Sequence, residues 1–159
     1  FFIFFIVYKS LMSNKIIIIN GPNINLLGER EQSQYGSINF DQLNDICKKK
    51  SIELGLNIEI VQSNIEGDLV NIIQDSIKSF DGIIVNAAAF THTSIAIRDA
   101  LEIFKKPIIE VHISNIYKRE EFRHKSLISD IVTGGIFGLG VESYILAIIA
   151  MQKILKNEN

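Results

Sequence analysis

Apolar and polar positions alternate in blocks along this chain. Residues 16–20 form a continuous, mostly β-branched run closed by Gly21-Pro22, the pattern of a strand buried on both faces. A long polar loop follows to about Ser37. Over 40–55, Leu43, Ile46, Ile52 and Leu54 recur at helical spacing, with Asn39 placed to cap the start and Gly55 to stop the end. Residues 57–62 predict a second strand. Residues 68–80 predict a helix with Leu69, Ile72, Ile73 and Ile77 on one side. A third strand is expected over 82–85, a helix over 93–104, a fourth strand over 108–111 and a short fifth over 131–133. A closing helix over 142–155 is apolar around most of its circumference, so an exposed apolar face, and hence an interface, is expected there. Packing in a groove of its own subunit is the alternative. This βαβα alternation predicts an α/β fold with a parallel sheet covered on both faces.

Ligands of such sheets bind beyond the carboxyl ends of the strands, near the switch in strand order. The strand ends are where polar chemistry gathers. The first strand runs out into Asn20-Gly21-Pro22-Asn23, then Asn25, Gly28, Glu29, Arg30, Glu31 and Tyr35-Gly36. The third runs into Asn86-Ala87-Ala88-Ala89-Phe90-Thr91-His92-Thr93-Ser94. The fourth carries Glu110 and His112, with Ser114, Asn115, Arg119 and Arg123 beyond. Side chains alternate across a strand, so Glu110 and His112 share one side. A carboxylate beside an imidazole is how an enzyme orients and charges a general acid. Each piece also has a plain structural reading. Asn and Gly form turns, Thr93 and Ser94 suit helix caps, and His112 could be a satisfied core residue.

Composition narrows the classes. The chain has 159 residues, 47% hydrophobic and 21% charged, enough for one globular domain with its own core. A net charge of −2 offers no field for nucleic acid. Cys47 is the sole cysteine, which excludes an intrachain disulfide and suits a cytoplasmic location. Phe1 to Tyr8 is almost wholly apolar but too short to span a bilayer, which takes about 20 apolar residues. It also lacks the flanks of a signal peptide. Residues 1–11 are expected to lie outside the fold, with Met12 as the natural start and 12–159 as a single domain. A clipped membrane anchor is the competing reading of residues 1–11; otherwise no membrane partner is expected.

Several chemistries fail on spacing. There is no G-x-x-x-x-G-K-[ST] loop, no H-E-x-x-H and no G-x-S-x-G, so no P-loop, zincin or nucleophile elbow. Gly135, Gly138 and Gly140 have the wrong order and place for a dinucleotide fingerprint. Three histidines far apart in sequence make a weak metal set.

Four motifs in order resemble one family. NGPNINLLGEREQSQYG over 20–36, NAAAFTHTSIAIRDA over 86–100, EVHISNIYKREEFRHKS over 110–126 and GIFGLG over 135–140 resemble type II 3-dehydroquinate dehydratases, and the likeness runs from about Lys15 to Leu155. The resemblance implies a flavodoxin-like three-layer sandwich around a five-stranded parallel sheet. It also implies a cofactor-free and metal-free anti elimination of water from 3-dehydroquinate, through an enolate, to give 3-dehydroshikimate. That step serves the shikimate pathway and aromatic amino acid biosynthesis, or quinate breakdown.

Such a reaction needs a base, an enolate stabiliser, a proton donor and a clamp for the substrate carboxylate. By the resemblance, Tyr35 is the base, and Arg30 favours its ionised form against an ordinary phenol pKa of about 10. His112 is the acid for the leaving hydroxyl, oriented by Glu110. Asn23 holds a water at the enolate oxygen. Asn86, His92, Ile113, Ser114 and Arg123 bind substrate, and Asp99 reaches a neighbouring subunit's site. The implied assembly is a homododecamer, a tetramer of trimers. Residues 26–35 would be a mobile lid. Gln32, Ala87 and Phe90 stand where the family usually has Pro, Pro and Tyr; none of these positions is assigned to chemistry. A flavodoxin-like nucleotide or flavin module shares the expected sheet, but it leaves Tyr35, Arg30 and the Glu110/His112 pair unexplained. A non-catalytic relative serving assembly or regulation is a third reading, and the full chemical set argues against it.

Overall fold

The computed structural model describes residues 13–29 and 37–157. Five parallel strands, β1 (Lys15–Asn20), β2 (Asn57–Gln62), β3 (Gly82–Asn86), β4 (Ile108–His112) and β5 (Gly134–Phe137), stand in the order β2-β1-β3-β4-β5. That is the flavodoxin-like order, with its switch between β1 and β3. The intervening helices are α1 (Phe40–Glu53), α2 (Glu66–Ser79), α3 (Ile95–Ile103) and α4 (Glu142–Asn157).

Alternation along β1 builds the three layers. Ile16 and Ile18 pack with Leu43 and Cys47 of α1 and with Tyr144, Ala147 and Met151 of α4. Ile17 and Ile19 face the other way, against Leu69 and Ile73 of α2 and Ile97 and Leu101 of α3. A strand covered on both faces needs apolar side chains at every position, and β1, β3 and the start of β4 read that way. Among the described residues, no helix is long and apolar enough to cross a membrane.

Local signals set most boundaries. Asn39 and Gln42 form a reciprocal capping box at the start of α1, at 2.9 and 3.0 Å. Gly55 ends that helix at φ +69°, where Leu56 N–H returns to the Ser51 carbonyl at 2.9 Å, a left-handed exit natural to glycine. The Ser94 side chain caps α3 by accepting from Ile97 N–H.

Three expectations need correction. The face α1 buries is Leu43, Cys47 and Ser51, while Ile52 is 76% exposed. Ser51 is accommodated because its hydroxyl donates to the Cys47 carbonyl one turn back, at 2.9 Å. The fifth strand is Gly134–Phe137 and not 131–133. Ile131 and Val132 pack against the α2–α3 side of the core, and it is the glycine-bearing segment that pairs in register with β4. Hydrophobicity marks burial, whereas strand pairing is made by backbone. Finally, α4 sinks into its own subunit, with Tyr144, Ala147, Ile148 and Met151 fully buried. Most of its apolar surface is therefore covered within the chain, while Leu146 stays 39% exposed and Ile149 and Ala150 are half-buried.

Candidate active site

The carboxyl ends of β1, β3 and β4 open onto a crevice at the switch point. β1 and β3 are held together there by Gly21 N–H donating to the Asn86 carbonyl at 2.7 Å. A Cβ on Gly21 would collide with the Ala87 carbonyl, so only glycine permits this approach. Asn23 follows in the left-handed region at φ 68°, which Asn tolerates better than most residues. Its N–H donates to Asn64 Oδ1 at 2.9 Å, and that oxygen is also held by Gln62 Nε2 at 3.0 Å. On the β3 side, Ala88 sits at φ 51°, a strained conformation for alanine, and such strain is typical of functional sites. Its N–H donates to Asn86 Oδ1 at 3.2 Å.

The Asn86 amide is anchored from within the core. Its Nδ2 donates to the Tyr144 hydroxyl at 2.8 Å, and that hydroxyl donates to Asn20 Oδ1 at 2.7 Å. Asn20 in turn donates to the Val61 carbonyl at 3.3 Å. Tyr144 is fully buried, and burial pushes its phenol well above the ordinary tyrosine range, so the O–H remains a donor.

On β4, His112 Nε2 lies 2.7 Å from Glu110 Oε1. The two residues are 6% and 4% exposed. Ser126 donates to the same carboxylate oxygen at 2.8 Å. His92 stacks near His112 with ring centroids 6.2 Å apart. Its Nδ1 is 2.8 Å from the Lys125 carbonyl; a carbonyl only accepts, so Nδ1 carries the hydrogen. Burial, the largest influence, holds His92 below the usual imidazole range, so at neutral pH its Nε2 keeps a lone pair.

Of the residues singled out from sequence, Asn23, Asn86, His92 and His112 line the crevice, together with Ile113, Ser114 and Arg123. Arg119 lines it too, and Arg123 is tied through Nε to Glu120 at 2.9 Å. Glu110 stands behind His112 and is not in the crevice wall. Asp99 is exposed on α3 and takes no part in the crevice of its own subunit. Arg30 and Tyr35, with most of the expected lid, lie outside the described residues. Sequence reasoning missed Asn20, Asn64, Ser126 and Tyr144. Asn20 and Ser126 stood at the ends of quoted motifs, but nothing local distinguished a turn former or a cap from a supporting hydrogen bond. Among the described residues, no three of His, Cys, Asp or Glu come together as a metal site.

This geometry can do acid–base work on a small polar molecule: one imidazole backed by a buried carboxylate, a second neutral imidazole, two amides and two guanidinium groups around one crevice. The model of the class II dehydroquinase family matches residues 14–152. The chain belongs to that family. It is 51% identical to a 3-dehydroquinate dehydratase of Clostridium perfringens, over 91% of this chain and 99% of that one. It is 50% identical to a 3-dehydroquinate dehydratase of a Nitratiruptor species, over 89% and 91%. The crystal structure of a type II dehydroquinase from Propionibacterium acnes superposes with a TM-score of 0.86 at 42% identity, covering 89% of this chain and 98% of that one. The family sets aside the nucleotide-module reading, which rested on the shared sheet alone.

Proposed function

We propose that this chain is a type II 3-dehydroquinate dehydratase, a carbon–oxygen lyase that converts 3-dehydroquinate to 3-dehydroshikimate in the shikimate pathway. The observation that carries the proposal is the buried His112–Glu110 pair at 2.7 Å, opening onto a crevice shared with Asn23, Asn86, His92 and Arg123, in a chain of the dehydroquinase family.

The reaction divides among these residues. Tyr35, activated by Arg30, removes the proton beside the ketone. Asn23 holds a water against the enolate oxygen, where charge develops. The enolate electron pair then forms the ring double bond as the C1–O bond breaks, and His112 gives its proton to the departing hydroxyl. A positioned acid or base of this kind contributes roughly 10²–10⁴-fold. Ile113 and Ser114, just past β4, receive the substrate carboxylate, while Asn86, His92 and Arg123 address its hydroxyl groups. Asp99 serves a neighbouring subunit in a homododecamer of four trimers, in the cytoplasm. Its exposed place on α3 suits that role.

Adding 3-dehydroquinate to the purified protein and following the ultraviolet absorbance of the conjugated enone tests the activity. Turnover should survive borohydride and chelators, because neither a lysine imine nor a metal takes part. A reduced adduct on a lysine with loss of activity would refute the enolate route. Light scattering of the chain from Met12 should give a mass near twelve subunits, and Asp99→Ala should lower activity and weaken the trimer together. A fully active monomer at micromolar concentration would remove the assembly and the role of Asp99.

A further inference from the structure

Ser126 has no part in the chemistry above, yet its hydroxyl is saturated in an instructive way. Its Oγ accepts from Ile128 N–H at 3.2 Å and from Ser129 N–H at 3.1 Å. A serine oxygen has two lone pairs and one hydrogen. Both lone pairs are occupied, so the hydrogen has one remaining use, donation to Glu110 Oε1 at 2.8 Å. That oxygen is also the one facing His112 Nε2 at 2.7 Å. An ionised carboxylate oxygen accepts only, and the hydrogen from Ser126 favours that form, so the hydrogen shared with the imidazole sits on Nε2. The proton that His112 can release to substrate is then the one on Nδ1.

The segment carrying Ser126 is itself tied down on both sides. Lys125 offers its carbonyl to His92 Nδ1 at 2.8 Å. Leu127 N–H donates to the Thr91 carbonyl at 2.9 Å, and the Leu127 carbonyl accepts from Arg98 at 2.6 Å. Arg98 also grips Asp130 through both guanidinium arms. One short strap, clasped to α3, thus sets the hydrogen-bonding state of both imidazoles in the crevice.

We propose that Ser126 is a positioning residue of the dehydration, acting through Glu110 to hold His112 with Nε2–H inward and Nδ1 as its proton-delivering atom. In the elimination Nδ1–H passes to the leaving hydroxyl as the C–O bond breaks. His112 is left neutral, still donating from Nε2 to Glu110, and a solvent proton restores it. The inference rests on the reading of His112 as the acid, and its test separates the two.

The measurement is steady-state kinetics with 3-dehydroquinate, per folded molecule, on Ser126→Ala, Ser126→Thr, Glu110→Ala, the double variant and His112→Ala. Removing the hydrogen-bond partner that orients a metal-bound imidazole costs about 10–100-fold; Ser126 supports its imidazole in the same way, so kcat of Ser126→Ala should fall by about that factor with KM within about twofold. Ser126→Thr, which keeps the hydroxyl, should restore most of it. In the Glu110→Ala background, Ser126→Ala should cost nothing more. If the alanine variant does not fold, Ser126→Cys carries the test, with a smaller loss of kcat at unchanged KM expected. Wild-type kcat in Ser126→Ala or Ser126→Cys alongside an inactive His112→Ala would overturn the role of Ser126 alone. An active His112→Ala would overturn the reading of the acid beneath it.

Discussion

Tyr144→Phe removes one oxygen atom from the centre of the molecule and should be costly. The ring and its packing stay, so the apolar contribution is unchanged and the whole effect lies in hydrogen bonding. The tyrosine hydroxyl donates to Asn20 Oδ1 at 2.7 Å and accepts from Asn86 Nδ2 at 2.8 Å. Both asparagines are buried, so each would keep a polar group with neither partner nor water. A buried group left unsatisfied costs about 1–3 kcal/mol. Asn20 keeps its bond to the Val61 carbonyl and Asn86 its bond from Ala88 N–H, which favours the lower half of the range. The expected loss is about 2–4 kcal/mol in all, or roughly 5–12 °C in Tm for a chain of this size. Urea unfolding measures it, at one protein concentration for both proteins because assembly couples to folding. The midpoint should drop with an unchanged slope. A double-mutant cycle with Asn86→Ala should show coupling of about 0.5–3 kcal/mol. A loss below about 0.5 kcal/mol would mean that the two asparagines find other partners on removal of the hydroxyl, and the anchoring argument for Asn86 would fail.

Three further outcomes are expected. Tyr35→Phe should bind ligand yet lose at least ~10²-fold in turnover, the usual contribution of a general base; a variant retaining more than about a tenth of the wild-type rate would refute its assignment. Burial lowers the His92 pKa in the native state, so the unfolded chain takes up that proton first as pH falls. Its contribution to stability is therefore complete above about pH 6.5, the free imidazole value, and is lost as pH drops through the depressed native value. The urea midpoint of wild type should thus decline more between pH 7.5 and 5 than that of His92→Gln, and parallel declines would contradict this. Cys47 is buried and its thiol is pushed up to about 12, so iodoacetamide should label it only after unfolding; stoichiometric labelling of the native protein would show that α1 opens readily.

The sequence by itself determined what is local. Among the described residues, block periodicity located the four α-helices and four of the strands to within a residue or two, because burial on one face or both leaves a repeat in the chain. Asn39, Gly55 and Ser94 marked helix ends because caps act within a turn. The motifs at 20–36, 86–100 and 110–126 named the crevice, since the strand ends of such a sheet must meet at one edge. The pairing of Glu110 with His112 followed from the two-residue repeat of a strand. Tertiary structure decided what depends on partners far along the chain. Residue type could not show that Ile52 faces out while Ser51 faces in, because that turns on where the sheet lies and on a hydroxyl satisfied by its own helix. Nor could it place the fifth strand on glycines, since backbone pairing needs no side chain. The Tyr144–Asn20 bond spans 124 positions, and Ser126 reaches Glu110 across 16. A hydrogen bond between residues far apart in the chain leaves no period and no spacing in sequence; it exists only once the fold has brought donor and acceptor together, and that is why the groups that hold this site in place became visible only in three dimensions.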